Sequence, residues 1–341
     1  MARALSIAMF VVVVVVSIGT VAAQEPRYTL VDLGSFFPNY IDEKGMMAGF
    51  VLGDWEQAAR GTVGNIEILT PEGGFGRANA LAKHQWTVGQ FQDGFGVGSF
   101  AMVWDEAGTS ISLGSFPGGG SSSVYAINDA GLMVGYSETD ALVPVAVWWD
   151  EDLIIHQLPG GGAWATAVNA KGVIVGGIGA PDGYTHAGKW MSTTSEPIDL
   201  GTMGTTSTAS GINKDGIVVG QAYLPSGPSA VLWTAENVMQ PLPSIAGAEY
   251  CGAGKINSRG VIIGACVVVV DERWVGHGVV WETPEVAVDL NTVVTLPEGF
   301  VIEVPTWIND KGVIVGYATL NYANHGFMLV PISKSATKRQ E

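Results

Sequence analysis

Trp307-Ile308-Asn309-Asp310-Lys311-Gly312-Val313-Ile314-Val315-Gly316 recurs along the whole chain in more or less worn copies. Residues 126–135 read Ala126-Ile127-Asn128-Asp129-Ala130-Gly131-Leu132-Met133-Val134-Gly135, and further copies occupy 168–176, 212–220 and 256–264. Two degenerate copies lie upstream at 41–49 and 81–89, which makes seven. Aligned on the final glycine (49, 89, 135, 176, 220, 264, 316), they repeat every 40 to 52 residues. A period in the low forties is the range of four-stranded propeller blades, not of ankyrin, TPR or leucine-rich repeats.

Each copy reads as strand, turn, strand, loop, strand, strand. The turn is Asn-x-x-Gly (128–131, 169–172, 213–216, 257–260, 309–312), with Asp42 to Gly45 as a variant. Asn opens such a turn through its side chain, and Gly accepts the positive φ that returns the chain. The second strand is the β-branched run before the final glycine. The third ends in Trp104, Trp149, Trp190, Trp233 or Trp281, with Leu329 in the last copy. The fourth carries Leu beside a small residue or Pro, as in Asp199-Leu200-Gly201. No helical period occurs in the mature chain.

The seventh copy lacks its fourth strand, and a stray fourth strand stands at the other end: Tyr28-Thr29-Leu30-Val31-Asp32-Leu33-Gly34. An open array has no use for this permutation. A closed ring does, because the N-terminal strand completes the last blade and removes two free sheet edges. The sequence therefore predicts an all-β, seven-bladed β-propeller of four-stranded blades, with residues 28–34 closing the last one. Pro38 and Pro305 fall near the first strands of copies one and seven, where an edge strand facing the channel tolerates a missing N–H.

Bulk properties agree. The chain has 341 residues, 47% apolar and 14% charged, with 47 glycines, the composition of many short strands and tight turns. Arg3, the apolar run 5–18 and Val21-Ala22-Ala23 read as a secretory signal peptide cleaved near Ala23-Gln24. The expected domains are thus a signal peptide (1–23), one propeller (24–331) and a polar tail (332–341). The expected location is extracellular or periplasmic, as a monomer with no membrane span in the mature chain. A net charge of −16 argues against nucleic acid or an anionic membrane as a partner.

The Ile-Asn-Asp-x-Gly-x-x-Val-Gly phrase, the His-Ala-x-x-Trp strand and the Asp-Leu-Gly segment resemble the HAF repeats of predicted extracellular bacterial proteins. The resemblance covers 28–331 and implies a repeat architecture, not an activity. The name-giving histidine is replaced by Pro144-Val145, Pro228-Ser229 and Ser99-Phe100 in three copies.

The candidate chemistry is sparse. His186, His277 and His325 hold equivalent places in three copies and are expected to hydrogen-bond backbone within their own blades, since ring-related positions cannot converge on a metal. His84 and His156 show no acidic partner at a catalytic spacing. The strand-ending tryptophans read as blade-to-blade packing. The Asn-Asp-x-Gly turns lack the alternating ligands and distal Glu of a calcium loop. No metal or cofactor is therefore expected. Cys251 and Cys266, the two cysteines, fall equally far from the turn of copy six and are expected to form a disulfide.

What does not repeat lies in the loops between second and third strands: Asp54, Trp55, Glu56, Asp182, Tyr184, Tyr223, Asp271, Arg273, Trp274 and Tyr322. Aromatic faces among charges on a rigid frame suit a carbohydrate or a protein partner. The resulting expectation is a non-catalytic binding scaffold. Two alternatives stand beside it: a propeller glycoside hydrolase or lyase using loop carboxylates such as Asp54, Asp182 and Asp271, and a structural envelope repeat without a small ligand.

Overall fold

The computed structural model describes residues 25–82, 86–94, 96, 98–225 and 227–333. The segment expected to be a signal peptide (1–23), His84 and the tail from 334 lie outside the described residues. Seven four-stranded antiparallel sheets follow one another in the ring. Blades 1 to 6 each take four consecutive strands, from Phe36–Ile41 to Asn65–Ile68 in blade 1 and from Ala248–Ile256 to Val288–Asp289 in blade 6. Blade 7 contains Phe300–Ile308, Ile314–Leu320 and Ala323–Pro331, and its outermost strand is Tyr28–Gly34. That strand pairs Leu30 with Leu329 and Tyr28 with Pro331, the closure the permuted ends predict. Phe36, Ile41, Met47 and Ala59 of blade 1 share a core with Val315 of blade 7. Among the described residues no helix is long and apolar enough to cross a membrane.

The repeated phrase is the inner hairpin of each blade, and two of its residues have duties beyond the turn. In blade 4 the Asn169 side-chain oxygen accepts from the N–H groups of Lys171 and Val173, both at 3.0 Å. Its amide donates to the carbonyl of Asn213 in blade 5 at 3.0 Å. The same bond runs from Asn128 to Asn169, Asn257 to Asn309, and Asn309 to Asp42, the last one across the ring closure. These asparagines are at most 7% exposed. Each carbonyl they reach also accepts the turn glycine's N–H of its own blade, as Asn213 does from Gly216 at 3.2 Å, so the amide adds a buried bond between blades.

The final glycine answers a different constraint. Every inner strand carries a β-bulge one turn of the pleat before it, as between Ala209 and Gly211 opposite Gly220 and Val219. The bulge presses the inner strand onto that glycine. A Cβ on Gly220 would overlap the carbonyl oxygen of Thr208, and equivalent overlaps exist at Gly49, Gly89, Gly135, Gly176, Gly264 and Gly316. Pro38 and Pro305 sit on inner strands directly before the bulge.

Trp104, Trp149, Trp190, Trp233 and Trp281 are at most 1% exposed. Trp190 packs with Leu158 and Ala146 of blade 3. The indoles of Trp190, Trp233 and Trp281 donate to the carbonyls of Pro159, Leu200 and Pro243, at the end of the preceding blade, at 2.8–2.9 Å. In blade 1 this position is Gly61, and the neighbouring Arg60, 2% exposed, bonds the following blade instead of the preceding one. Its guanidinium donates to the carbonyls of Asp105 and Glu106 in blade 2 at 2.6 and 2.7 Å.

These two glycine roles are separable by urea denaturation. Gly216→Ala, in the turn at φ +86°, should cost about 1–2 kcal/mol. Gly220→Ala meets backbone that cannot yield without losing the bulge and should cost about 3 kcal/mol or more. Equal costs would contradict the bulge argument.

Candidate functional site

The Asn turns occupy one end of every blade, so the second-to-third-strand tips lie at the other. The ten residues singled out from the sequence stand on those tips, and the structure divides them into groups. On blade 1, Trp55 meets Phe75 edge-on at 4.9 Å, and Glu56 receives two hydrogen bonds from Arg77 at 2.5 and 2.7 Å. Both are thereby tied to blade 2, with Asp54 exposed beside them. On blade 4, Asp182 accepts from the Tyr184 N–H at 3.0 Å and contacts His186 at 3.1 Å. Tyr223 stands alone on blade 5, half exposed. Asp54, Asp182 and Asp271, the carboxylates a glycosidase would use, occupy the non-adjacent blades 1, 4 and 6.

Blades 6 and 7 do gather residues. Trp274 is 64% and Tyr322 86% exposed. The Trp274 ring lies 5.9 Å from Tyr250, and the Arg273 guanidinium 5.6 Å from the Tyr322 ring centre. Val269 and Val270 add exposed apolar surface. The ledge exists because the first three strands of blade 6 are nine residues each, where those of blade 3 are six. Its two hairpin tips are two-residue turns with both central residues at positive φ: Asp271 (49°) and Glu272 (62°), Asn321 (50°) and Tyr322 (69°). Such turns favour Gly or Asn because a side chain there costs about 1 kcal/mol or more. The Cys251–Cys266 disulfide forms as expected, joining directly paired strands one step below Tyr250 and Val267. Tyr250 was not among the sequence candidates, since it lies on a first strand and only the length of the hairpin brings it to the ledge.

The axial channel holds a second constellation that the sequence reading passed over. Two cavities lie along it. One, about 250 Å³, opens among the Asn turns, and the other, about 640 Å³, lies toward the loop face. The residue nine before the final glycine faces the smaller one in every blade: Tyr40, Ala80, Ala126, Ala167, Gly211, Lys255 and Trp307. Four are small, and the three large ones come from the consecutive blades 6, 7 and 1. Their rings and amine touch in sequence, with Lys255 Nζ 5.4 Å from the Trp307 ring centre and Trp307 4.5 Å from Tyr40. Lys255 retains some accessible surface, but protein surrounds it and what remains open faces the channel. Burial pushes its amine down to about 8, and burial, then the nearby Asp42, raises the Tyr40 hydroxyl. The available signal was the alignment itself: one position that varies most where the rest repeats.

The repeated histidines differ from expectation. They bond carboxylates of the outermost strand rather than backbone. His186 reaches Asp199 at 2.9 Å, His277 reaches Asp289 at 2.7 Å, and His325 reaches Asp32 across the ring closure at 2.9 Å. The same aspartates accept the N–H two residues on, at Gly201, Asn291 and Gly34. An imidazole opposite a carboxylate gains a charge-assisted bond that a carbonyl does not offer. His156 likewise has a partner, Asp150 at 2.7 Å, at the outer edge of blade 3. Among the described residues no group of three or more His, Cys, Asp or Glu could hold a metal.

No family model matches the chain, and no curated protein matches it. Solved structures do. TolB from Acinetobacter baumannii is 11% identical over 85% of this chain and 64% of its own, with a TM-score of 0.41. Streptogramin B lyase is 12% identical over 89% and 98%, at 0.44, and the tricorn protease 11% over 84% and 30%, at 0.48. The chain thus spans less than two thirds of TolB and under a third of the tricorn protease. Likeness at this level carries no statement about activity.

The His277–Asp289 pair sets a pH dependence. Its hydrogen bond to Asp289 raises the His277 imidazole above 6.5. Burial pushes the Asp289 carboxyl up, but hydrogen bonds from His277 and Asn291 outweigh it and leave it below 3.8. The histidine's contribution is present below its unfolded value and lost as pH rises through the folded one. The aspartate's is present above its unfolded value and lost as pH falls. The pair therefore stabilises most between about pH 4 and 6.5. His277→Gln should lower the melting temperature by about 2 °C, roughly 1 kcal/mol, at pH 5.5, and by less at pH 8.5. An equal loss at both values would count against the ion pair.

Proposed function

We propose that this chain is an exported, non-catalytic binding protein of the HAF-repeat kind, acting as a monomer, whose ligand surface is the aromatic ledge of blades 6 and 7 and whose ligand is a carbohydrate. The ledge carries the reading: Tyr250, Trp274 and Tyr322 expose ring surface around Arg273, on two-residue tips that hold Glu272 and Tyr322 at a positive φ where Gly or Asn is the cheaper residue. Strain of this kind is held where the surroundings over-determine it, and it clusters at ligand sites. The disulfide one residue pair below the ledge supports the same reading twice. It stiffens the hairpin that presents Trp274, and it forms in the oxidising compartment that the N-terminal signal implies.

Apolar sugar faces would stack on the exposed rings, while Arg273 and the carboxylates of Asp271 and Glu272 would bond hydroxyls. The glycosidase reading needs two carboxylates converging on one bond. Among the described residues lining the 640 Å³ cavity there is no carboxylate. At the mouth of the smaller one Asp42, Glu43 and Asp310 are engaged by backbone N–H groups of the turns, so binding is the reading the geometry supports better.

A glycan array followed by thermal-shift titration, with and without calcium, tests the proposal. Saturable binding to one sugar class is expected, with affinity falling at least about tenfold in Trp274→Ala, as for a central aromatic anchor. Calcium should have no effect. Silence across the array, or binding that Trp274→Ala leaves intact, would overturn it.

A further inference from the structure

A second site lies inside the ring. Lys255 is, among the described residues, the one that lines both axial cavities, so its amine stands at the waist between them. Its polar partner is the carbonyl of Ser210 at 2.9 Å, and its remaining neighbour is the Trp307 ring face. Among the described residues no carboxylate pairs with it, although the chain carries 32 Asp and Glu against 16 Lys and Arg. A buried ammonium without an anion is costly and is normally compensated by one. One neutral hydrogen bond and one ring face compensate only part of that.

The two ends of the channel are unlike. The mouth among the Asn turns carries Asp42, Glu43, Asp129 and Asp310 against Lys214, itself paired with Asp215, a net negative field that repels anions. The larger cavity on the other side is walled by neutral groups, with Trp164, Tyr125 and Val304 among polar side chains. Many of those polar groups are already engaged. Asn39 and Asn79 donate to Ala78 and Val124 carbonyls, and Thr166 and Thr306 to those of Ala209 and Pro38. Among the described residues Lys255 is left as the single charged group facing the larger cavity, whose volume suits a small organic ligand.

We propose that the channel binds a small aromatic carboxylate, admitted from the loop face, with its carboxylate on Lys255 Nζ and its ring in the aromatic-walled cavity above. The site is independent of the ledge and of whatever the ledge binds.

The test uses the full mature chain and matched pairs of probes: benzoate, phenylacetate and indole-3-acetate against their neutral amides, by calorimetry. The carboxylates should bind at least tenfold more tightly than the amides. Their affinity should fall as pH rises through the titration of the amine. Lys255→Met should abolish the preference, and Lys255→Arg should keep part of it. Should Lys255→Met fail to fold, a ¹⁵Nζ titration of the wild-type amine decides, since a bound carboxylate must raise its titration midpoint by a unit or more. Equal binding of acids and amides, no binding at millimolar probe, or an unmoved midpoint would overturn the proposal.

Discussion

A propeller stands or falls on the seams between its blades, because each sheet satisfies its own backbone and has no ladder to offer its neighbour. Here every seam is crossed by a side chain bonded to a backbone carbonyl near the axis. From blade 3 to 4, 4 to 5, 6 to 7 and 7 to 1 the bond comes from the turn asparagine. Blades 1 and 2 have Asp42 and Ala82 in that place, neither able to donate. In those two blades the bulge residue is asparagine instead, and Asn39 and Asn79 reach the carbonyls of Ala78 and Val124. Between blades 5 and 6, Lys255 spans the seam to Ser210. The substitution of one device by another shows the seam bond to be the constant and the residue carrying it the variable. Since 1 kcal/mol per buried carbonyl recurs around the ring, the term is comparable to the roughly 5–15 kcal/mol of net stability of a domain.

The architecture was legible because it is written seven times. Asn309, Gly312 and the β-branched run after them specify a hairpin locally, and the spacing of their copies specifies the ring. The stray strand at 28–34 showed how it closes. Less was legible where a residue's role depends on a neighbour in space. The final glycine serves in the sequence to align the copies, and only the bulged strand pressing on Gly220 shows why a Cβ is forbidden. The repeated histidines are expected to bond backbone because ring-related positions cannot converge on a metal. Nothing local points to their fourth-strand aspartates, 12 or more residues away or, for His325 and Asp32, at the opposite terminus. Among the ten loop residues, pattern alone could not tell Trp55 and Glu56, locked against blade 2, from Trp274 and Tyr322, left open.

Function in such a fold belongs to the exceptions. Repetition fixes what the frame requires, so a residue that departs from its six equivalents is released from the frame or recruited elsewhere. Two departures cluster here. The long hairpins of blade 6 and the tight tips beside them raise rings into solvent on one face. Lys255, Trp307 and Tyr40 replace small residues on three consecutive blades and make the channel lopsided. Lys255 serves both accounts, as a seam bond and, among the described residues, as the one charged group lining the larger cavity, which is how a structural position can acquire a ligand without a change of fold.

The central claim is that side-chain amides hold the blades together, not merely the turns. Asn169→Asp separates the two, since the carboxylate keeps both acceptor bonds to Lys171 and Val173 and loses the donor to Asn213. The decisive measurement is its unfolding free energy in urea relative to the wild type. A loss of about 1 kcal/mol or more, the worth of one buried hydrogen bond between blades, is the predicted result. Wild-type stability in Asn169→Asp would contradict the account and reduce the asparagine to a turn residue.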